Sequence, residues 1–165
     1  LSDKNRILII ISGKEKNIKT IVDSRYDILK FEVVSFVKQN EAEAAKAVGF
    51  ELTSEDAVVT AGKILLEKLQ AEGIIISRGE QGMSLIQDNG EIHHIPVVDK
   101  SEVFDVSGAG DTAVAAFILA IASGAKPVEA TKIANFAAGI AVRKLGTATV
   151  SNEELNEVLG EYYGN

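Results

Sequence analysis

At 165 residues the chain is long enough to bury one sizeable core, and with 46% apolar and 25% charged residues it has the balance of a globular domain rather than a disordered tail. A formal charge of -7 argues against duplex nucleic acid or an anionic membrane as partner, since both demand clustered Lys and Arg, and the lack of cysteine excludes disulfides and Cys-ligated metal. The longest apolar run, residues 7–11, falls far short of the ~20 a membrane span needs and follows no signal-peptide pattern, so a cytoplasmic protein forming a single compact unit is expected.

Residues 1–20 are ambiguous. Residues 7–11 suit a strand, whereas Lys14-Glu15-Lys16-Asn17 suits the end of a helix. Ser12-Gly13-Lys14 lacks the upstream glycine of a Walker P-loop and reads as a loop or helix end. Short apolar, β-branched runs at 20–22, 33–37 and 73–77 predict buried strands. Between the last two, residues 41–48 and 55–72 have helical period. In the second of these, Val58, Val59, Leu65, Leu66 and Leu69 recur at helical spacing behind a Ser54 N-cap.

Residues 83–86 and 92–98 flank Asp88-Asn89-Gly90, a turn-forming group, and predict an antiparallel hairpin at a sheet edge, where Pro96 is tolerated. His93 and His94 point to opposite faces of that strand, poor geometry for one metal. Residues 110–122 form an Ala-rich apolar helix ended by Gly124. Residues 128–145 form another, closed by Gly146. Residues 151–163 form an amphipathic helix with Ser151 and Glu154 as a capping box, its acidic residues a solvated face. Apolar runs alternating with helical stretches describe an α/β domain with a mostly parallel sheet.

The chemistry concentrates in Ser107-Gly108-Ala109-Gly110-Asp111. Small residues before an apolar helix leave backbone N–H groups open at its N-terminus, where the helix dipole favours negative charge. Asp111 there is either a helix cap or a base that takes a proton from a hydroxyl while the amides hold a transferring phosphoryl group.

Asp105-Val106-Ser107-Gly108-Ala109-Gly110-Asp111-Thr112, followed by small and apolar residues, closely resembles the second signature of the ribokinase-like, phosphofructokinase B type carbohydrate kinases. The resemblance implies the C-terminal portion of a three-layer α/β/α fold, with a mostly parallel sheet and an antiparallel edge hairpin. It makes Asp111 the general base and the Gly108, Ala109 and Gly110 amides the anion hole.

Lys38-Gln39-Asn40-Glu41-Ala42-Glu43 is similar to the family's N-x-x-E element. That gives Asn40 and Glu43 the task of arranging magnesium and phosphates, often through water. Gln39 stands where the family usually has proline, and by residue type alone Asn40 is a helix cap and Glu43 a solvated side chain. Ser77-Arg78-Gly79-Glu80-Gln81-Gly82 resembles the T-x-G-x-x-G nucleotide loop, placing Ser77, Gly79 and Gly82 on nucleotide. Two glycines this close otherwise mark a tight turn.

Ala134-Asn135-Phe136-Ala137-Ala138 and Lys144-Leu145-Gly146-Thr147 resemble the borders of the adenine pocket, with Asn135 the polar candidate and close packing the other explanation for the alanines. Asp105 and Ser107 inherit a monovalent-cation site. ATP, magnesium and potassium are therefore the expected ligands, with a small sugar or sugar phosphate as acceptor, and a homodimer is compatible with the family.

Three stretches, Ser77–Leu85, Val103-Phe104-Asp105-Val106 and Lys144–Ser151, look most like the kinase branch that phosphorylates heptose 7-phosphate at its anomeric hydroxyl in bacterial ADP-heptose synthesis. Leu1-Ser2-Asp3 resembles a sequence near the middle of such kinases. The expectation is a fragment without the N-terminal sugar-binding half and its β lid, able to bind nucleotide while lacking what holds the acceptor near Asp111. A nucleotide-binding module without turnover is the alternative. A dinucleotide-dependent oxidoreductase is disfavoured, because no G-x-G-x-x-G opens a helix after an early strand.

Overall fold

The computed structural model describes residues 10, 12, 13, 15–97 and 104–164, so the expectations for residues 1–9, 11, 14, 98 and 103 lie outside it. Ser12 and Gly13 are helical. The chain divides into two compact units. The first runs to residue 78 and includes 84–94; the second comprises 79–83 and the residues from 95 onward.

The first unit is built on a five-stranded sheet in sequence order: β1 (Ile21–Asp23), β2 (Phe36–Asn40), β3 (Gly73–Ser77), β4 (Met83–Gln87) and β5 (Ile92–Ile95). β1, β2 and β3 are parallel, with Asp23 opposite Lys38 and Asn40 opposite Ser77. β4 turns back, its end tied to the start of β3 by the Asp88 amide on the Glu72 carbonyl, and β5 completes the expected hairpin.

Helix α1 (Glu41–Val48) follows β2 directly, and α2 (Glu55–Leu69) is capped by Ser54, whose hydroxyl accepts the Ala57 amide. Val58, Ala61, Leu65 and Leu69 of α2 recur along one face and join Val37, Ile74, Ile76 and Ile86 in the core. Close approach at Gly62 makes that packing possible, since a Cβ there would sit 2.7 Å from Ile86 side-chain atoms.

The bounds of β2 and α2 differ from the sequence reading. The strand expected at 33–37 runs from Phe36 to Asn40, because Val33 adopts a left-handed backbone (φ 63°) and gives its amide to the Leu69 carbonyl. The strand continues through polar residues because each finds a partner. Lys38 Nζ lies 2.8 Å from Asp23 Oδ2, and the buried Gln39 amide donates to the Ser24 and Lys38 carbonyls. Helix α2 stops at Leu69 rather than 72, where Gln70 turns left-handed (φ 48°).

The second unit holds α3 (Ala109–Ala122), α4 (Pro127–Ala141) and α5 (Asn152–Tyr163). α3 buries Ala113, Phe117 and Ala120 and packs against α4. α4 packs in turn against α5, with the Phe136 and Tyr162 rings 5.1 Å apart.

α4 was expected to reach Leu145 and ends at Ala141. The Val142 carbonyl accepts the Phe104 and Asp105 amides, and the Gly146 amide that would continue the helix goes to Asp105 Oδ2 instead. A helix cannot propagate once its next acceptor and donor bond elsewhere.

Candidate active site

The loop before α3 is held from outside. Its first residues hang from the Val142 carbonyl, and the Asp105 carboxylate accepts the Ser107 amide at 2.8 Å on Oδ1 and the Gly146 amide at 3.1 Å on Oδ2. The Ser107 amide and hydroxyl, and then the Gly146 amide, keep the Asp105 carboxyl below the ordinary aspartate range. Asp105 therefore stays charged at neutral pH and fixes the bend.

Gly108 is the N-cap of α3 with φ 78°, and a Cβ added there would meet Thr147 Cγ2 at 2.9 Å. Only glycine satisfies both the backbone and the space. Having no side chain, it supplies no cap. The Ala109 amide reaches the Val106 carbonyl at 3.4 Å, and the Thr112 amide closes the first helical turn on Gly108. Among the described residues the Gly110 and Asp111 amides have no acceptor.

Asp111 occupies the third helical position, is exposed, and forms no hydrogen bond or ion pair among the described residues. It is not a cap. Two open amides, a helix dipole and an unpartnered carboxylate are the components an anionic reacting group needs: donors for its charge and an acceptor for a proton.

In the first unit the carboxyl ends of β2 and β3 put Asn40 opposite Ser77. This is the end of a parallel sheet at which α/β proteins bind ligands. Asn40 Oδ1 accepts the Glu43 amide at 2.8 Å and Glu43 Oε2 accepts the Asn40 amide at 2.9 Å, forming a complete capping box. The helix-capping reading of both residues is thus realised, and any binding role is additional to it. The Ser77 hydroxyl has one long bond, 3.5 Å to the Gln39 carbonyl.

The remaining predicted residues divide. Gly79 (φ 55°) is exposed on a short 3₁₀ turn, Gly79–Gln81. Gly82 (φ 86°) is buried, and a Cβ there would collide with the Ile95 carbonyl, so close backbone packing explains it. Asn135 is buried and donates Nδ2 to the Pro96 carbonyl at 2.8 Å, a tie between α4 and the segment after β5. Ala137 is buried in packing, and Lys144 bonds the Thr149 carbonyl and Glu154.

Among the described residues no group of three or more His, Asp or Glu could hold a metal ion directly. Asn40 and Glu43 carry oxygen donors of the kind magnesium takes.

Sequence reasoning missed Arg78. Its buried guanidinium lies 3.1 Å from Glu41 and 3.6 Å from Glu55. The Glu41 partner is 37 residues away along the chain, so no local pattern announces it.

A model of the pfkB family carbohydrate kinases matches residues 9–155. The bifunctional protein HldE of Geobacter sulfurreducens is 37% identical over 157 residues, covering 94% of this chain and 32% of the relative. That of Citrifermentans bemidjiense is 41% identical over 150 residues, covering 90% and 31%. The chain thus spans about a third of the length of these curated relatives. Ribokinase of Thermotoga maritima matches with TM-score 0.76 at 28% identity, covering 92% of this chain and 52% of that one. Phosphofructokinase-2 of Escherichia coli in complex with potassium gives TM-score 0.85 at 23% identity, covering 100% and 54%, a likeness of fold.

Proposed function

Because the chain belongs to the pfkB family of carbohydrate kinases, we propose that it is the nucleotide-binding, catalytic-base half of an enzyme that moves the γ-phosphoryl group of ATP to a sugar hydroxyl. The observation that carries this reading is the open N-terminus of α3, where among the described residues the Gly110 and Asp111 amides and the Asp111 carboxylate have no partner. Asp111 takes the proton of the acceptor hydroxyl. Of the Gly108, Ala109 and Gly110 amides expected to stabilise the charge of the phosphoryl group in flight, that of Ala109 reaches the Val106 carbonyl, and the open Gly110 amide is joined by that of Asp111, so catalysis is positional and electrostatic.

On this reading Ser77, Gly79 and Gly82 approach the nucleotide phosphates, and Asn135 belongs to the border of the base pocket through the helix it anchors. Magnesium, when bound with the nucleotide, neutralises phosphate charge. Asn40 and Glu43 would hold it through water. The Asp105 carboxylate, held below its ordinary pKa and so charged at neutral pH, and the neighbouring Ser107 suit a monovalent cation such as potassium.

The acceptor we favour is a sugar phosphate of the heptose 7-phosphate type, in line with the HldE relatives. We further propose a cytoplasmic setting, in line with ATP as donor, and a homodimer is compatible with the family. Consistent with a water-soluble setting, no helix among the described residues is long and apolar enough to cross a membrane.

The chain covers about half of the structurally similar kinases. We therefore infer that by itself it binds nucleotide without rapid turnover, since an acceptor must be held for in-line attack. The test has two arms. The chain alone is titrated with ATP and magnesium, and the complete polypeptide is assayed for ATP-dependent phosphorylation of a sugar panel that includes heptose 7-phosphate. Binding in the first arm and turnover in the second are expected; a complete polypeptide that phosphorylates no sugar would sink the kinase assignment.

A further inference from the structure

We infer that Arg78 is a positioning residue that holds the carboxyl ends of β2 and β3 in the arrangement required for magnesium-nucleotide binding, an inference that rests on the nucleotide role proposed for Ser77, Asn40 and Glu43. Arg78 follows Ser77 directly, and its side chain is only 6% exposed. Nε donates to Glu41 Oε1 at 3.1 Å, and Nη1 lies 3.6 Å from Glu55 Oε1. Those two glutamates are the first residues of α1 and α2. One buried guanidinium therefore joins the residue after Asn40, the start of a second helix, and the residue after Ser77, while Asn40 and Ser77 are themselves register partners.

Folding alone gives little reason for a charge here. A buried guanidinium loses its hydration, and an apolar side chain of similar volume is often as stable or more so. The two helix N-termini nearby carry positive partial charge, which disfavours a cation unless acidic residues offset it. Glu41 and Glu55 do so, and the result is a planar, multi-donor strut whose directionality an apolar residue lacks. What the strut fixes is the start of α1, where Asn40 and Glu43 interlock, against the end of β3, where the Ser77 hydroxyl makes a long bond to the Gln39 carbonyl. Groups that orient those touching a metal-phosphate ligand are felt in affinity even though they never touch it.

The experiment titrates the chain with ATP in the presence and absence of magnesium, for the unsubstituted protein and for Arg78→Met, Arg78→Lys and Glu41→Gln, with thermal unfolding of each recorded. Arg78→Met is expected to weaken magnesium-ATP binding about tenfold and magnesium-free ATP binding much less. Lysine, which keeps the charge and loses the fork, should recover part of the loss. Glu41→Gln should act in the same direction, and the double variant should be little worse than Arg78→Met, because both changes remove the contact between Arg78 and Glu41.

If Arg78→Met lowers the unfolding temperature but leaves the magnesium-ATP affinity of the folded protein unchanged, Arg78 is only structural and the inference is overturned, with the nucleotide reading intact. Should Arg78→Met fail to fold, Glu41→Gln and Arg78→Lys carry the same decision. If the unsubstituted chain binds no nucleotide at all, the reading under it fails and the inference falls with it.

Discussion

Helices α1 and α3 begin in opposite ways. α1 satisfies its own N-terminus, Asn40 and Glu43 accepting each other's amides. α3 begins on Gly108, which has no side chain to offer, and leaves the Gly110 and Asp111 amides open. Each has an acid at the third helical position, as do α4 (Glu129) and α5 (Glu154), and all three glutamates reach back to the N-cap amide. Asp111 is one methylene shorter and does not. The same position is thus a lock when glutamate fills it and, at Asp111, a carboxylate without a partner among the described residues. Orphan amides at a helix start must find a side chain, water or a ligand, and α3 has left its own for the last two.

The contrast is broken most decisively at Asp111. In the complete polypeptide, Asp111→Asn should lower turnover by about 10²-fold or more while nucleotide affinity stays within a few-fold, read from steady-state kinetics and an ATP titration. Unchanged turnover would mean that Asp111 is not the base. Asn40→Ala should lower turnover far less than Asp111→Asn, and equal losses would erase the distinction between the two helix starts.

Gly108→Ala attacks the open end through the backbone. An L-residue at φ 78° costs about 1–2 kcal/mol, and the Cβ must also displace Thr147 Cγ2 from 2.9 Å. A fall in the urea midpoint of that order is expected. A neutral outcome would mean that the bend does not depend on left-handed geometry.

Asn40→Ala tests the closed end. Losing the cap should cost about 1 kcal/mol by urea unfolding, and Asn40→Ser should return most of it because serine also caps. The magnesium-ATP affinity of the two variants sharpens the comparison: serine that restores stability but not affinity shows Asn40 serving ligand as well as helix, whereas parallel recovery leaves it a cap.

Much of this was legible in the sequence because it is local. Asn40 with Glu43, Ser54 and Ser151 with Glu154 announced three helix starts, and the Asp105–Thr112 motif identified both the α/β ribokinase-like fold and its family. What was hidden depends on partners far along the chain. β2 runs through Lys38 and Gln39 because Asp23 and Ser24, 15 residues back, satisfy them. α4 stops early because residues 104 and 105 take the Val142 carbonyl. Arg78 looked like a loop residue because Glu41 and Glu55 meet it only in the fold. Periodicity reports which faces are apolar, and a polar group rescued by a distant partner leaves no trace in it.

The smallest expected effect concerns the carboxylate that keeps the α3 bend open. Asp105 has its folded pKa depressed below the ordinary 3.8 by the Ser107 amide and hydroxyl and by the Gly146 amide. A depressed carboxyl contributes stability fully above its unfolded value and loses it as pH falls through the lower folded value. The loop contribution should therefore be constant from neutral pH down to about pH 5 and vanish progressively below the ordinary aspartate value. Asp105→Asn lacks a charge to titrate and should show a shallower acid limb, starting from lower stability at neutral pH. Urea midpoints for both proteins, measured across that range in potassium-free buffer, separate loop anchoring from cation binding. If the two acid limbs are parallel, Asp105 does not hold the bend through its charge, and the open start of α3 must owe its shape to Gly108 alone.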